Sequence, residues 1–506
     1  MKRRTSPAGT DPVTGPLRRS LPLLLQTLLV VALALPAGLA VAPAFFGSTA
    51  PVTAAPSAPP WHQVPGTLAA GGAPDSIEPL TGTAPVPEPG SLAAQLNQTL
   101  KVDGAGSFAG VVQDAATGEV LFDRSGDAVR VPASNMKLLT AVAALRTLGP
   151  ERRFSTTAVA GDTPGSVVLT GGGDVLLGAG ESDPDAVLGH AGLGSLAKET
   201  VRALKDDGVS VPVKVLLDDS LFTGPALNPA WSPEDVAAGE VAPLFPLALN
   251  SARFDPAKTT GPRPQDAAMS AAKAFSAELA AAASAAGLTV APGVARVPAG
   301  SQTDGGTAGS GSGRILAEVE SATVGQQVDL LLRTSDNYLT EAIGRMAAVA
   351  AGKPGSNQGA VTAVLQQLQE LDIPALKIPA GTLRAADVSG LALANQVSAR
   401  QLSEVVRAIT SGADTRLRAG LAGFPVAGLT GTLGDRYLDA ATARGAGLVR
   451  AKTGTLNTVI ALSGYVVDAD GRLLVFSFIG NGLTPGAANK AALDRTASVL
   501  AGCGCR

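Results

Sequence analysis

The segments of this chain that read as β-strands lie in two groups, one before and one after a long middle stretch. After Ser91, the runs FAGVVQD and GEVLFDRS are joined by AATG, a spacing that predicts a β-hairpin. Near the C-terminus, three similar runs precede the helical pattern AANKAALDRTASVLAG. Strands from both ends with helices between them predict one α+β domain, an antiparallel sheet flanked by helices, formed by residues 91–165 and 315–506. Residues 166–314 then form one or more inserted domains.

The N-terminal 90 residues have the pattern of a targeting segment followed by a linker, and not that of a folded core. Residues 1–20 are basic, and we expect them to be a cytoplasmic tail, because the apolar run 21–46 follows them. That run is either a signal peptide, with Ala40-Val41-Ala42 as its cleavage site, or an uncleaved membrane anchor. Pro43 disfavours cleavage, and both alternatives export everything that follows. Residues 47–90 are rich in Pro and Ala and predict an extended linker.

The composition excludes several classes of protein. The chain has 2 His and 2 Cys in 506 residues, so a histidine-based triad or a zinc site is poorly supplied. A net charge of -3 and an aromatic content of 3% give no basis for nucleic-acid binding. We therefore expect neither a metal nor a cofactor. Cys503 and Cys505 allow a strained bridge, an intermolecular link or idle thiols, and we favour idle thiols.

The sequence SNMK places Ser134 three residues before Lys137. On a helix, residues at this spacing share one face, so a lysine amine can reach the serine hydroxyl. The following residues are apolar on every side, which predicts a buried helix and a lysine whose charged form is disfavoured. Ser-x-x-Lys also occurs at 195–198 and 270–273, where the context is that of ordinary helices. The motif by itself is therefore weak.

Two further motifs strengthen the evidence that Ser134 and Lys137 are catalytic. Ser335-Asp336-Asn337 stands at the start of a predicted helix, where Ser335 by itself would read as an N-cap. Lys452-Thr453-Gly454 lies on a predicted strand, where the glycine lets another group approach the backbone. Together with Ser134 and Lys137, in this order, they form the motif set of β-lactamases and penicillin-binding proteins.

From about residue 91 to its end, the chain resembles the D-alanyl-D-alanine carboxypeptidase/endopeptidase family, the low-molecular-mass class C penicillin-binding proteins. The long insertion, GGGD at 171–174 and Asp387-Val388-Ser389-Gly390-Leu391 carry this likeness beyond the three motifs. The resemblance implies a β-lactamase/transpeptidase-like domain with a domain inserted between the first and second motifs. One departure is a short stretch between the loop around Trp231 and the Ala-rich helix, which indicates a reduced insertion.

The resemblance implies a serine peptidase that acts on peptidoglycan peptides ending in D-Ala-D-Ala and that binds β-lactam antibiotics, outside the cytoplasmic membrane. It assigns catalytic roles to one residue set and substrate contacts to another. The catalytic residues are Ser134 as nucleophile, Lys137 as base, and Ser335, Asn337 and Lys452 in support. The substrate-binding residues are Thr453, Gly454, Thr455 and Ser389, which we expect to line the cleft.

Two alternatives remain at this point. A β-lactamase or esterase of the same fold would share the acylation residues but needs an efficient group for deacylation. One such route uses a tyrosine at the position that Ser335 occupies here. A non-catalytic wall-binding scaffold would have lost a motif residue, whereas all are present. The sequence does not choose between carboxypeptidase and endopeptidase activity.

Overall fold

The computed structural model describes residues 83–297, 313–371, 373, 376 and 382–504. The predicted tail 1–20, the apolar run 21–46 and residues 47–82 of the predicted linker 47–90 lie outside these ranges. Within them, no helix combines the length and the apolar character that crossing a bilayer requires.

The strands within the described residues are numbered in chain order. They are β1 Ser107–Asp114, β2 Val120–Arg124, β3 Val129–Arg130, β4 Ser155–Ala160, β5 Ser166–Gly171, β6 Val213–Asp218, β7 Val290–Arg296, β8 Ile315–Glu320, β9 Val397–Ser398, β10 Arg450–Leu456, β11 Val459–Val467 and β12 Leu473–Asn481. The short strands β3 and β9 pair only with each other.

The helices fall before, between and after these strands. They are α1 Pro89–Thr99, α2 Met136–Leu148, α3 Leu193–Asp206, α4 Pro233–Ala238, α5 Ala267–Ala285, α6 Val324–Thr334, α7 Asn337–Ala350, α8 Asn357–Gln369, α9 Ala399–Ser411 and α10 Ala487–Gly502. A single 3₁₀ turn, Ala133–Asn135, leads directly into α2.

The first sheet joins both ends of the folded chain in the order β10-β11-β12-β1-β2, with every neighbouring pair antiparallel. Alternate residues of one strand point to opposite faces. Val111 accordingly belongs to one apolar core and Val112 to another, and the same alternation separates Val475 from Phe476. Helix α9 covers the first face, and α1 and α10 cover the second. The predicted α+β fold is confirmed.

The second sheet has the order β7-β6-β5-β4-β8. Its three strands β5, β6 and β7 run parallel, and β4 is antiparallel to both of its neighbours. Helices α3 and α5 pack on it through residues such as Leu196 and Phe275. Because β4 and β8 belong to it, this sheet extends past both limits of the predicted insertion 166–314.

Two local predictions have definite outcomes. Every residue from Met136 to Leu145 is buried, as the all-round apolar pattern of α2 predicted. Cys503 is disulfide-bonded and buried in the apolar core that α10 shares with the first sheet. Our preference for idle thiols was therefore wrong.

Candidate active site

The backbone around Ser134 is enclosed by two glycines. Ser134 lies in the 3₁₀ turn before α2, and Ala133 beside it has a φ of 46°. A Cβ on Gly454 would lie 2.9 Å from the Pro132 oxygen, and one on Gly390 would lie 2.0 Å from the Ala133 oxygen. Only glycine allows strand β10 and the 390 loop to approach the turn this closely. The third motif and the Asp-Val-Ser-Gly-Leu stretch thus meet at Ser134.

The amine of Lys137 is held by three acceptors. Its Nζ donates to Ser134 Oγ at 3.0 Å, to Asn337 Oδ1 at 2.6 Å and to the main-chain oxygen of Ser389 at 2.7 Å. Complete burial lowers the pKa of Lys137 to about 8, partly opposed by the nearby acidic side chains Asp387, Asp336, Glu341 and Glu240. The amine therefore lies next to the serine hydroxyl with a proton affinity well below that of an exposed lysine.

The second motif stands between α6 and α7. Ser335 has a left-handed backbone with a φ of 60°, which lets α6 end at Thr334 and α7 begin at Asn337. Asp336, and not Ser335, is the N-cap of α7, since its carboxylate accepts from the Leu339 amide at 3.0 Å. Asn337 donates through Nδ2 to the Glu240 oxygen at 3.0 Å, so its own oxygen faces Lys137.

The third motif brings a second buried lysine to the site. Lys452 on β10 donates through Nζ to Ser335 Oγ at 2.9 Å and to the Thr453 main-chain oxygen at 2.8 Å. Burial and the positive charge of Lys137 hold the pKa of Lys452 well below its usual range. The hydroxyl of Thr453 is hydrogen-bonded to Thr432 at 2.7 Å. All five predicted catalytic residues are thus linked in two hydrogen-bonded groups, one at each lysine.

The two groups open into one cleft of about 1330 Å³. Its wall includes Ser134, Ser335, Asn337, Thr453 and Thr455, whereas both lysine side chains are fully buried beneath it. A ligand in the cleft would therefore meet hydroxyls and an amide directly. The positive charges of the two lysines would act on the ligand from behind those groups.

Ser389 does not have the predicted position. Its side chain is fully buried and faces Asp387 at 3.4 Å, so the prediction that it lines the cleft is wrong. The loop is turned inward because Glu341 Oε1 accepts from the amides of Val388 and Ser389, at 3.0 and 2.8 Å. The carbonyl of Ser389 is the functional group here, as an acceptor for Lys137.

Sequence reasoning missed several residues around the site. Thr432 lines the cleft beside Thr453, and Glu341 fixes the loop that holds Lys137. Asp387 was noticed only as part of a motif. Its carboxylate accepts from the Gly390 and Ala392 amides, at 2.8 and 2.7 Å, and from the Trp231 indole at 2.9 Å. No local pattern marks Thr432 or Glu341, since each acts on residues far away in the sequence.

Comparison with known proteins decides the family. The model of the D-Ala-D-Ala carboxypeptidase 3 (S13) family matches residues 92–287 and 265–502. The chain belongs to this family. It is 37% identical over 456 residues to a carboxypeptidase of Mycobacterium tuberculosis, covering 89% of this chain and 90% of that protein. It is 36% identical, over 89% of this chain and 91% of the relative, to carboxypeptidase DacB of Mycolicibacterium smegmatis.

The fold agrees with that membership. Penicillin binding protein 4 from Haemophilus influenzae superposes with a TM-score of 0.60 at 20% identity, covering 81% of this chain and 98% of that chain. This likeness shows the fold alone. The predicted family, penicillin-binding fold and enzyme class, a serine-type D-Ala-D-Ala carboxypeptidase, are confirmed.

Proposed function

We propose that this enzyme cleaves peptidoglycan stem peptides ending in D-Ala-D-Ala through an acyl-enzyme on Ser134, with Lys137 as the base. The observation that carries the proposal is the 3.0 Å hydrogen bond between the two side chains, with the lysine completely buried. A pKa of about 8 leaves roughly a tenth of Lys137 neutral at pH 7, which is enough to accept the serine proton.

In the acylation step, neutral Lys137 takes the proton of Ser134 Oγ while Oγ bonds to the carbonyl carbon of the penultimate D-Ala. The C–N bond to the terminal D-Ala breaks, and its amine takes a proton from Ser335. Lys452 replaces that proton, and its lowered pKa makes its ammonium group a stronger acid. Water then hydrolyses the ester: one water proton passes to neutral Lys452, protonated Lys137 returns its proton to Ser134 Oγ, and the shortened peptide leaves as its carboxylic acid.

Substrate recognition follows from the groups on the cleft wall. We assign the terminal carboxylate to the hydroxyls of Thr453 and Thr455, above the charge of Lys452. The main-chain amides of Ser134 and Thr455 are our candidates for the oxyanion hole. A β-lactam places its own carbonyl and carboxylate at the same positions, so it would acylate Ser134 and leave slowly.

The tyrosine-dependent β-lactamase route has no support in this cleft. The three tyrosines of the chain, Tyr338, Tyr437 and Tyr465, are all described, and none of them lines it. The hydroxyl of Tyr338 accepts a hydrogen bond from the Phe245 amide behind the second motif. The intact motif set likewise gives no support to a non-catalytic scaffold.

We also propose that the enzyme works on the outer face of the cytoplasmic membrane, either anchored or secreted. The support is the basic segment followed by the apolar run 21–46, together with a substrate class found in the cell wall. Fractionation of cells that produce the full chain, and of cells that produce it without residues 1–46, tests this. Retention of the full chain in the cytosol would contradict it.

The activity is tested with two substrates. We expect release of D-Ala from a stem pentapeptide, and cleavage of a cross-linked peptide dimer would add endopeptidase activity. Ser134→Ala should abolish both. Turnover of a penicillin faster than that of either peptide would favour the β-lactamase alternative.

A further inference from the structure

The segment 240–253 of the insertion forms the wall behind the second catalytic motif. The main-chain oxygen of Glu240 accepts from Asn337, and the amide of Phe245 donates to the Tyr338 hydroxyl at 3.2 Å. Arg253 completes this set with an ion pair between its Nη2 and Asp336 Oδ2 at 2.8 Å. One stretch of inserted chain therefore holds three consecutive residues at the start of α7, namely Asp336, Asn337 and Tyr338.

Arg253 directly follows an unusual backbone turn, which sets its position. Asn250, Ser251 and Ala252 all have left-handed conformations, with φ values of 53°, 56° and 54°. This conformation is disfavoured for serine and alanine, so the surrounding contacts must impose it. The amides of Asn250 and Ser251 donate to the oxygens of Leu177 and Val175, and Arg263 donates to the Ser251 oxygen at 2.7 Å.

The ion pair lies at the residue that joins two catalytic groups. Asp336 stands between Ser335 and Asn337, and its side chain is only 2% exposed. One carboxylate oxygen caps α7 through Leu339, and the other faces Arg253. Both oxygens are thus fixed, one by the helix and one by the insertion. Movement of Asp336 would displace Ser335 and Asn337 together.

We propose that Arg253 is a positioning residue, which holds the second motif in place through Asp336 and offsets the negative charge of that carboxylate beside Lys137. This rests on the proposed function, because it requires Lys137 to act as a neutral base. The strained turn 250–252 explains its placement, since it directs the arginine from the insertion into the wall of the cleft.

The charge balance around Lys137 makes the role measurable. Charged groups face the site from several elements: Asp336 and Glu341 from α7, Asp387 from its loop, Glu240 and Arg253 from the insertion, Arg263 behind them, and Lys452 from β10. The carboxylates stabilise the protonated lysine, and Arg253 opposes one of them. Removing Arg253 should therefore raise the pKa of Lys137 and move the rise of acylation to higher pH.

The test compares Arg253→Met, Arg253→Lys and the control Arg146→Met in the full chain. Arg146 pairs with Asp414 at 3.5 Å and is similarly buried, at 14% against 13% exposure, but it does not line the cleft. The measurements are the second-order rate constant for acylation by a fluorescent penicillin from pH 5.5 to 9.5 and the melting temperature of each variant.

We expect Arg253→Met to be acylated about 10- to 100-fold more slowly at pH 7. The rising limb of its acylation rate against pH should lie about half a pH unit or more higher than in the unaltered enzyme. Arg253→Lys should restore the limb, and Arg146→Met should leave it unchanged. An unshifted limb in folded Arg253→Met would overturn the positioning role. If Arg253→Met does not fold, Arg253→Lys provides the test, because its retained charge should preserve the pH dependence of acylation. A lower acylation rate in Arg253→Lys, with a pH dependence shifted upward by about half a unit, would then overturn the positioning role. Absence of acylation in the unaltered chain would refute the proposed function instead.

Discussion

The contact between Gly454 and the turn that carries Ser134 gives a direct test of the catalytic geometry. In Gly454→Ala, the new Cβ would lie 2.9 Å from the Pro132 oxygen, 3.1 Å from Ala133 Cβ and 3.2 Å from the Ser134 nitrogen. Two of these neighbours are backbone atoms, so no side-chain rotation relieves the overlap. Strand β10 and the turn must move apart instead.

The required movement sets the size of the effect. Ordinary contacts of a Cβ begin at 3.4 Å, so the nearest pair must separate by about 0.5 Å. Misplacement of a reacting group by about 1 Å lowers rates by about 100-fold, so we expect acylation to fall by about 10- to 100-fold. This corresponds to ~1.4–2.7 kcal/mol of transition-state stabilisation. The overlap should lower the free energy of unfolding by about 1–3 kcal/mol.

The assay is the rate of acylation by a fluorescent penicillin, measured beside the melting temperature. Gly180→Ala serves as the control, because a Cβ there would meet no atom within 4 Å. We expect the control to keep the acylation rate of the unaltered enzyme. If folded Gly454→Ala acylated at that rate as well, the close approach of β10 to the nucleophile turn would not govern the chemistry.

Three further predictions address single groups. Acylation should rise about tenfold per pH unit up to about pH 8, because only neutral Lys137 accepts the serine proton; a rate that falls as the pH rises toward 8 would contradict its role as base. Ser389→Ala should stay within about threefold of the unaltered rate, since the main-chain oxygen holds the lysine, and a loss beyond tenfold would disagree. Burial raises the pKa of Asp174 from 3.8 to about 7, so the folded protein retains a proton that the unfolded chain releases, and stability falls as pH rises from about 4 to 7. Asp174→Asn should remove this loss, worth up to ~4 kcal/mol, so that urea unfolding separates the two proteins at pH 8 but not at pH 4.

The sequence was most informative where a short pattern fixes a geometry. Ser134 and Lys137 are three residues apart at the start of a helix, so their hydrogen bond follows from local structure. The hairpins and the long apolar runs of β11 and β12 similarly follow from local periodicity. The three motifs together predicted the family, because each needs the others to make a working site.

What the sequence did not reveal depends on contacts between distant segments. Thr432 meets Thr453, Glu341 meets the Ser389 amide, and Arg253 meets Asp336, and none of these pairs has a local signature. The inward turn of Ser389 is set by the buried carboxylate of Glu341 on α7. The strands β4 and β8 lie outside the predicted insertion 166–314 although they belong to the second sheet, because a strand pattern does not reveal which sheet a strand joins.

The central claim is that Ser134 forms the acyl-enzyme. Intact-protein mass spectrometry after incubation with benzylpenicillin tests it most directly, with Ser134→Ala as the matched variant. The account predicts one covalent adduct on the unaltered enzyme, mapped by peptide analysis to Ser134, and no adduct on the variant. An adduct of equal yield on Ser134→Ala would contradict it.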